Sequence, residues 1–390
     1  MSYQLFAVTV PGLEPFTQAE LAGLGIKSRL PKVHHTEGEP REEAGGVEFE
    51  ASLSDLYCAN LHLRSANRIL VRLGEFYAAA FSELRTKASR LPWELYLKPG
   101  QPVTLRVTCH KSRLYHSDAV AERVAGAISD HLGKSVPIVK PGTAGEHIKR
   151  DMMPRLVIVR LVHDQCTISL DTSGELLHRR GYRLETAKAP LRETLAAGLL
   201  LGAGWDAVSP IIDPFCGSGT IPIEAALMAR RIAPGKNRHF AFMDWPGFDS
   251  KLWQTIYAQA LANEQPGAGV IQASDRDAGA IRIAQANAER ANVLADIQFS
   301  CRTFSAIEAP PGIGWIVTNP PYGVRVSPSH DLRDLYTHLG DVLRSLCPGW
   351  HAGVLCASDY LAGHTHLPFD QALPLVNGGI PVKFFMGKVT

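Results

Sequence analysis

The run Trp315-Ile316-Val317-Thr318-Asn319-Pro320-Pro321-Tyr322-Gly323 sets a polar side chain, two residues without backbone donors and an aromatic ring in succession. The residues leading into it are apolar or β-branched, as in a buried strand. Proline removes the backbone N–H and stiffens the turn. The Pro320 carbonyl is left free to accept, and Asn319 accepts through its side-chain oxygen. Two acceptors converging on one nitrogen bind an exocyclic amine and exclude a carbonyl. Tyr322 offers a face on which a base can stack. An aromatic amine is a poor nucleophile because its lone pair is delocalised into the ring. Holding its hydrogens and aligning the nitrogen with an electrophilic carbon is the main help available. Asn319, Pro320 and Tyr322 are therefore the candidate catalytic residues.

A second constellation is Ile211-Ile212-Asp213-Pro214-Phe215-Cys216-Gly217-Ser218-Gly219-Thr220. It reads as a strand that turns on two glycines into a helix. Glycine permits positive φ and close approach of a ligand to the backbone, and the helix start offers free N–H groups. No Lys-Ser/Thr comes after the glycines, so the loop is not a Walker A phosphate loop, and Ile221-Pro222 break the full GxGxxG pattern. A carboxylate before the glycines suits a ligand carrying an ammonium group, such as the amino-acid end of S-adenosylmethionine. Asp275, closing the predicted strand 270–274, is placed to accept both hydroxyls of a ribose. Asp277 is the better cap for the next helix. Cys216, inside the loop, reads as a small lining residue and not as a nucleophile.

Positioning these residues requires alternating strands and helices. Strands are predicted at 211–213, 270–274, 297–300, 315–318 and 353–356, and helices at 191–200, 220–231, 278–291 and 332–346. This alternation implies a parallel doubly wound sheet with ligands at the carboxyl ends of its strands. Ahead of it, strands 3–10 and 47–49 alternate with helices 14–24 and 53–59, the latter capped by Ser52 or Ser54. A second stretch has strands 69–73 and 103–108, helix 117–132 and a hairpin 156–161/166–170. A chain of 390 residues with a formal charge of +2 accommodates two or three domains and excludes a polybasic binding mode. Seven cysteines without a CxxC pair fit a reducing, cytoplasmic setting. No apolar run is long enough to span a membrane. His34-His35 and His364/His366 lack partners at metal-binding spacing, so no metal is expected. The aromatics Phe240, Phe242, Trp245, Phe248 and Trp253 read as a core for the insertion 231–268, with a wall of the base pocket as the alternative.

The near-neutral total hides a local excess. Residues 98–155 carry ten Lys/Arg against five acids, and 176–192 add five against Glu185 alone. Lys111, Arg113, Tyr115 and His116 combine charge with rings just before helix 117–132. Arg179, Arg180 and Arg183 extend the set. Such a patch suits phosphate contacts and stacking on unpaired bases.

DPFCGSGT (213–220) followed by NPPYG (319–323) resembles the class I methyltransferases that act on exocyclic amines using S-adenosylmethionine. More narrowly, DTSGELLHRRGYR (171–183), APLRETLAAGLL (189–200), IEAALMARRIAPG (223–235) and ASDRD (273–277) are similar to the THUMP-domain RNA guanine-N2 methyltransferases of the RlmL-type 23S rRNA family. KSRLYHSDAVAERV (111–124) is similar to the THUMP module of that group. The resemblance implies a ferredoxin-like unit over 1–60, a THUMP domain over 61–170 and a Rossmann-like methyltransferase domain over 171–390. It implies guanine-N2 methylation in rRNA, with a tRNA substrate as the alternative. A DNA adenine-N6 enzyme shares NPPY but not the THUMP-like region. A non-catalytic RNA-binding factor would carry damaged motifs, and both are intact. By the resemblance, Asp213, Cys216, Gly217 and Gly219 line the methionine moiety, Asp275 holds the ribose, and Thr194 reaches the cofactor carboxylate. Thr303 stands where the family usually has an aspartate for the adenine amine, with Phe304 placed to pack on the ring.

Overall fold

The computed structural model describes residues 2–31, 45–140, 153–183, 191–267, 269–322 and 329–390, and the side chains of 329–331 fall outside the description. The first half builds β1 (Tyr3–Thr9), α1 (Glu14–Gly23), β2 (Ser28–Arg29), β3 (Gly46–Ala51), α2 (Leu53–His62), β4 (Ala66–Tyr77), α3 (Phe81–Ala88), β5 (Val103–His110), α4 (Ser117–Leu132), β6 (Arg155–Val162) and β7 (Gln165–Asp171). Ser52 starts α2 through a reciprocal capping box with Asp55. Helix α4 buries Val120, Val124, Ala127 and Ile128 on one stripe and stops at Gly133, whose φ is 67°. All seven strands form one sheet in the order β2-β3-β1-β4-β7-β6-β5. Strand β4 pairs with both β1 and β7. The boundary expected near residue 60 thus falls inside one continuous sheet, because β1 and β4 pair across it.

The second half adds α5 (Glu193–Gly202), β8 (Ile211–Asp213), α6 (Thr220–Ala229), α7 (Ser250–Ala262), β9 (Ile271–Asp275), α8 (Ala278–Arg290), β10 (Ile297–Cys301), β11 (Trp315–Thr318), α9 (Ser329–Leu346), β12 (His351–Cys356), α10 (Asp359–Gly363), β13 (Phe369–Asn377) and β14 (Ile380–Lys388). Its sheet runs β10-β9-β8-β11-β12-β14-β13. The five strands from β10 to β12 are parallel, but β14 pairs antiparallel with β12 and β13. The five strands expected from the sequence are the parallel ones, and β13 and β14 add an antiparallel hairpin at the edge. Asn377-Gly378-Gly379-Ile380 reverses the chain on two positive-φ glycines, so β14 returns beside its neighbour without a crossover helix.

The two halves are welded by the insertion. Phe242 stacks on Tyr57 of α2 with centroids 4.5 Å apart, and Trp245 meets Tyr96 edge-on at 4.9 Å. Phe240, Phe242 and Trp245 belong to the core of the N-terminal half, with Phe248 and Trp253 packed against it. The rings of the insertion therefore join the core of the N-terminal half instead of forming one of their own. They lock the N-terminal half to the catalytic half, each buried ring contributing on the order of 2 kcal/mol. Arg64 adds polar ties by donating to the carbonyls of Leu227 and Ile232 at the end of α6.

Candidate active site

The strand order reverses between β8 and β11, and this switch point is where doubly wound sheets bind ligands. Asp213 ends β8 and Asn319 comes directly after β11, so the two sequence constellations meet at one crevice. Thr318 joins them, donating from Oγ1 to Asp213 Oδ1 over 2.7 Å. The Phe215 backbone N–H donates to the same oxygen at 3.2 Å. Among the described residues these bonds fall on Oδ1, which leaves Oδ2 for a ligand cation. Burial pushes the Asp213 carboxyl up to about 7, opposed by the Thr318 and Phe215 hydrogen bonds and aided by the nearby Asp275 charge.

The glycine loop fits a bound amino-acid moiety. Gly217 has φ 51°, and a Cβ there would project into open space. Gly219 has φ 83°, and its Cβ would stand 3.0 Å from that of Ala284. The first glycine keeps room for a ligand, whereas the second lets α6 and α8 approach. Asp275 Oδ2 accepts from the Gly217 N–H at 3.0 Å and Oδ1 from the Asp277 N–H at 3.0 Å. Asp275 thereby clamps the loop from the end of the neighbouring strand. Asp277 caps α8 by accepting from Gly279, as its spacing suggests.

Cys216 is buried, and burial raises its thiol well above the usual range. A neutral thiol in contact with the loop is not a nucleophile. Cys216→Ser is expected to retain turnover within about threefold, because the change is nearly isosteric. A steady-state assay checks this, and a loss of activity comparable with that of Asn319→Ala would contradict it.

Asn319 Oδ1 is buried and has no hydrogen-bond partner among the described residues. An orphaned buried acceptor is costly, and it stands where a substrate amine would donate. Pro320 is buried beside it. The Tyr322 ring packs between two apolar clusters, and its hydroxyl accepts from Asn377 Nδ2 at 2.9 Å. Asn377 and Thr318 were missed in the sequence. The Asn-Gly-Gly turn is the signal that marks Asn377. Gly323 lies outside the described residues.

Thr303 is exposed after β10, and its hydroxyl pairs with Ser305 at 2.8 Å. Phe304 lies 5.1 Å from the Phe215 ring, on the glycine-loop side of the sheet. Thr194 is corrected. It is fully buried and its hydroxyl donates to Asn67 Oδ1 at 2.7 Å, which ties α5 to the N-terminal half.

On the other half, Lys111, Arg113, Tyr115 and His116 are exposed in the loop from β5 to α4, which Leu114 anchors from beneath. Tyr115 is 68% exposed, with its ring 4.1 Å from His116. Arg179 is exposed and paired with Glu175. Arg180 and Arg183 are corrected. Arg180 is 4% exposed, pairs with Glu224 and donates to the carbonyls of Leu177 and Arg64. Arg183 is spent on Glu193 and the Leu191 carbonyl. Arg180 sits at the joint between the halves and Arg183 is held within the catalytic half, so neither offers a free charge to a polyanion. Lys149, Arg150 and Lys188 lie outside the described residues, as does His34-His35. Among the described residues no group of three or more metal-ligating side chains occurs, and no helix is long and apolar enough to cross a membrane.

Known proteins resemble this chain along most of its length. Residues 4–70 match the family described as RlmL ferredoxin-like domain, 78–171 the THUMP domain, and 180–378 the RMKL-like methyltransferase domain. A Synechocystis sp. protein, slr0064, whose name carries RNA methyltransferase as a provisional activity, is 34% identical over 96% of this chain and 94% of its own length. The ribosomal RNA large subunit methyltransferase K/L of Syntrophotalea carbinolica is 34% identical over 97% of this chain. This chain spans about half the length of that relative, 53%. The crystal structure of SMU.472 complexed with SAH is 29% identical and superposes with a TM-score of 0.84, covering 99% of this chain and 97% of that one.

Proposed function

We propose that this chain, which belongs to the RMKL-like methyltransferase family, moves a methyl group from S-adenosylmethionine to the exocyclic N2 of a guanine in 23S rRNA. The cofactor is S-adenosylmethionine, as in the family, and the solved relative complexed with SAH carries its demethylated form. The observation that carries the reading is the orphaned Asn319 Oδ1 beside Pro320 and Tyr322 at the switch point. Reading the K/L relatives' substrate onto this chain favours rRNA over tRNA.

When bound, the cofactor supplies an electrophilic methyl group on a sulfonium. Asp213 would hold its ammonium, Gly217 would give it room, and Asp275 would hold its ribose. Asn319 Oδ1 and the Pro320 carbonyl accept the amine hydrogens and fix the nitrogen's direction. As that nitrogen gains positive charge, both acceptors bind it more strongly, which stabilises the transition state over the ground state. Tyr322 supports the base, and Asn377 fixes the tyrosine hydroxyl. No strong general base is needed, because the proton leaves an already cationic nitrogen. Competition in vitro between unmodified 23S rRNA and tRNA transcripts tests the substrate class. Preferential methylation of tRNA would overturn the rRNA assignment.

The exposed loop 111–116 is assigned to RNA. Lys111→Glu with Arg113→Glu is expected to weaken RNA binding about tenfold or more and to flatten its salt dependence, since counterion release scales with phosphate contacts. Filter binding over a salt series measures this, and unchanged affinity and slope would remove the loop from the RNA surface.

A further inference from the structure

Strands β6 and β7 are joined through His163 and Asp164, whose φ values are 49° and 63°. Two successive left-handed residues suit the twist of a tight hairpin but are unfavourable for side chains other than glycine, asparagine and aspartate. Here the turn aims a carboxylate at the loop after β5. Asp164 Oδ1 accepts from the Arg113 backbone N–H at 2.6 Å, and Oδ2 accepts from the Tyr77 hydroxyl at 3.3 Å. The Arg113 guanidinium lies 3.5 Å from Oδ2. The Asp164 N–H donates to Ser112 Oγ at 3.0 Å, and its carbonyl accepts from Ala78. One residue therefore joins the end of β4, the loop 111–116 and the β6–β7 turn. Its side chain is only 13% exposed, although Tyr77, Arg113 and His163 around it are exposed.

A carboxylate beneath a basic surface opposes a polyanion. Its bonds, however, hold the backbone from which Arg113 and Tyr115 project, and they hold Tyr77, itself 45% exposed. We propose that Asp164 is a positioning residue for RNA binding, which raises affinity despite its negative charge by fixing loop 111–116 and Tyr77 as one surface for unpaired bases and phosphates. The proposal rests on the assignment of that loop to RNA.

The test compares Asp164→Asn with Asp164→Gly by filter binding to an unmodified 23S rRNA transcript over a salt series. Both variants remove the charge, and both residue types accept the left-handed backbone. Asparagine keeps one acceptor oxygen for the Arg113 N–H, which glycine removes. Positioning predicts that Asp164→Gly binds about tenfold more weakly than Asp164→Asn, from the loss of the remaining hydrogen bond to the loop backbone. It also predicts a salt slope shallower by about one phosphate contact. A role through charge alone predicts equal affinities for the two variants, both tighter than the parent, and this result would overturn the proposal. Lys111→Glu with Arg113→Glu is measured alongside. If it weakens binding while the Asp164 variants match, the RNA loop stands and Asp164 is not its positioning residue. If it changes nothing, the loop assignment fails and the proposal fails with it.

Discussion

Asn319→Ala lowers turnover by about a thousandfold, the scale set by removing one preorganised transition-state contact. Affinity for S-adenosylhomocysteine is expected to stay within about twofold, since a truncated side chain that makes no ground-state bond to the cofactor costs it little. The argument rests on where Asn319 stands. Its backbone continues from β11, which β8 and β12 flank on both sides, so the strand end is rigid. Its Oδ1 is buried without a partner among the described residues. A structural asparagine would have spent that oxygen on a neighbour. Single-turnover kinetics with calorimetric cofactor binding separate the outcomes, and joint loss of turnover and cofactor binding would make Asn319 a structural residue.

The second large effect is a pH dependence of cofactor binding. The Asp213 carboxyl is pushed up to about 7 by burial, so in the free protein it is substantially protonated below neutrality. Only the ionised form pairs with an ammonium. Affinity for S-adenosylhomocysteine therefore rises about tenfold from about pH 6 to about pH 8, in step with the ionised fraction. The ligand-free protein behaves in the opposite sense. A carboxyl raised in the folded state contributes stability that is full below its ordinary value of 3.8 and lost as pH rises through about 7. Ligand-induced stabilisation consequently grows as the solution becomes more alkaline. Glu193, also raised by burial to about 7, adds to the ligand-free trend but not to cofactor binding. Asp213→Asn should flatten the affinity profile while leaving the Glu193 contribution. Calorimetry across this range on both proteins checks it, and a parallel pH profile in the variant would remove Asp213 from the cofactor site.

Much of the site was legible because its chemistry is local in sequence. Asp213 closes one β-branched run and Asn319 stands at the end of another, and glycines or prolines mark the turn beyond each strand. The amphipathic stripe of α4 was equally plain. Contacts made across the chain were not. The charge of Arg180 and Arg183 looks the same in sequence whether it faces phosphate or a buried Glu224 or Glu193. Thr194 sits close to the glycine loop in sequence, yet its hydroxyl is taken by Asn67, 127 residues away. The aromatics of the insertion carried no sign that their partners would be Tyr57 and Tyr96. Strand β13 lacked strict alternation, and its Asn-Gly-Gly turn was the only local mark of the antiparallel hairpin that brings Asn377 to Tyr322.

The site's central claim is the identity of the methylated atom, and mass spectrometry of nucleosides reads it directly. The purified protein is incubated with an unmodified 23S rRNA transcript and methyl-deuterated S-adenosylmethionine, and the RNA is digested. The account predicts deuterated N2-methylguanosine, absent with Asn319→Ala. Deuterium in N6-methyladenosine or in a carbon-methylated pyrimidine, with none in N2-methylguanosine, would contradict it.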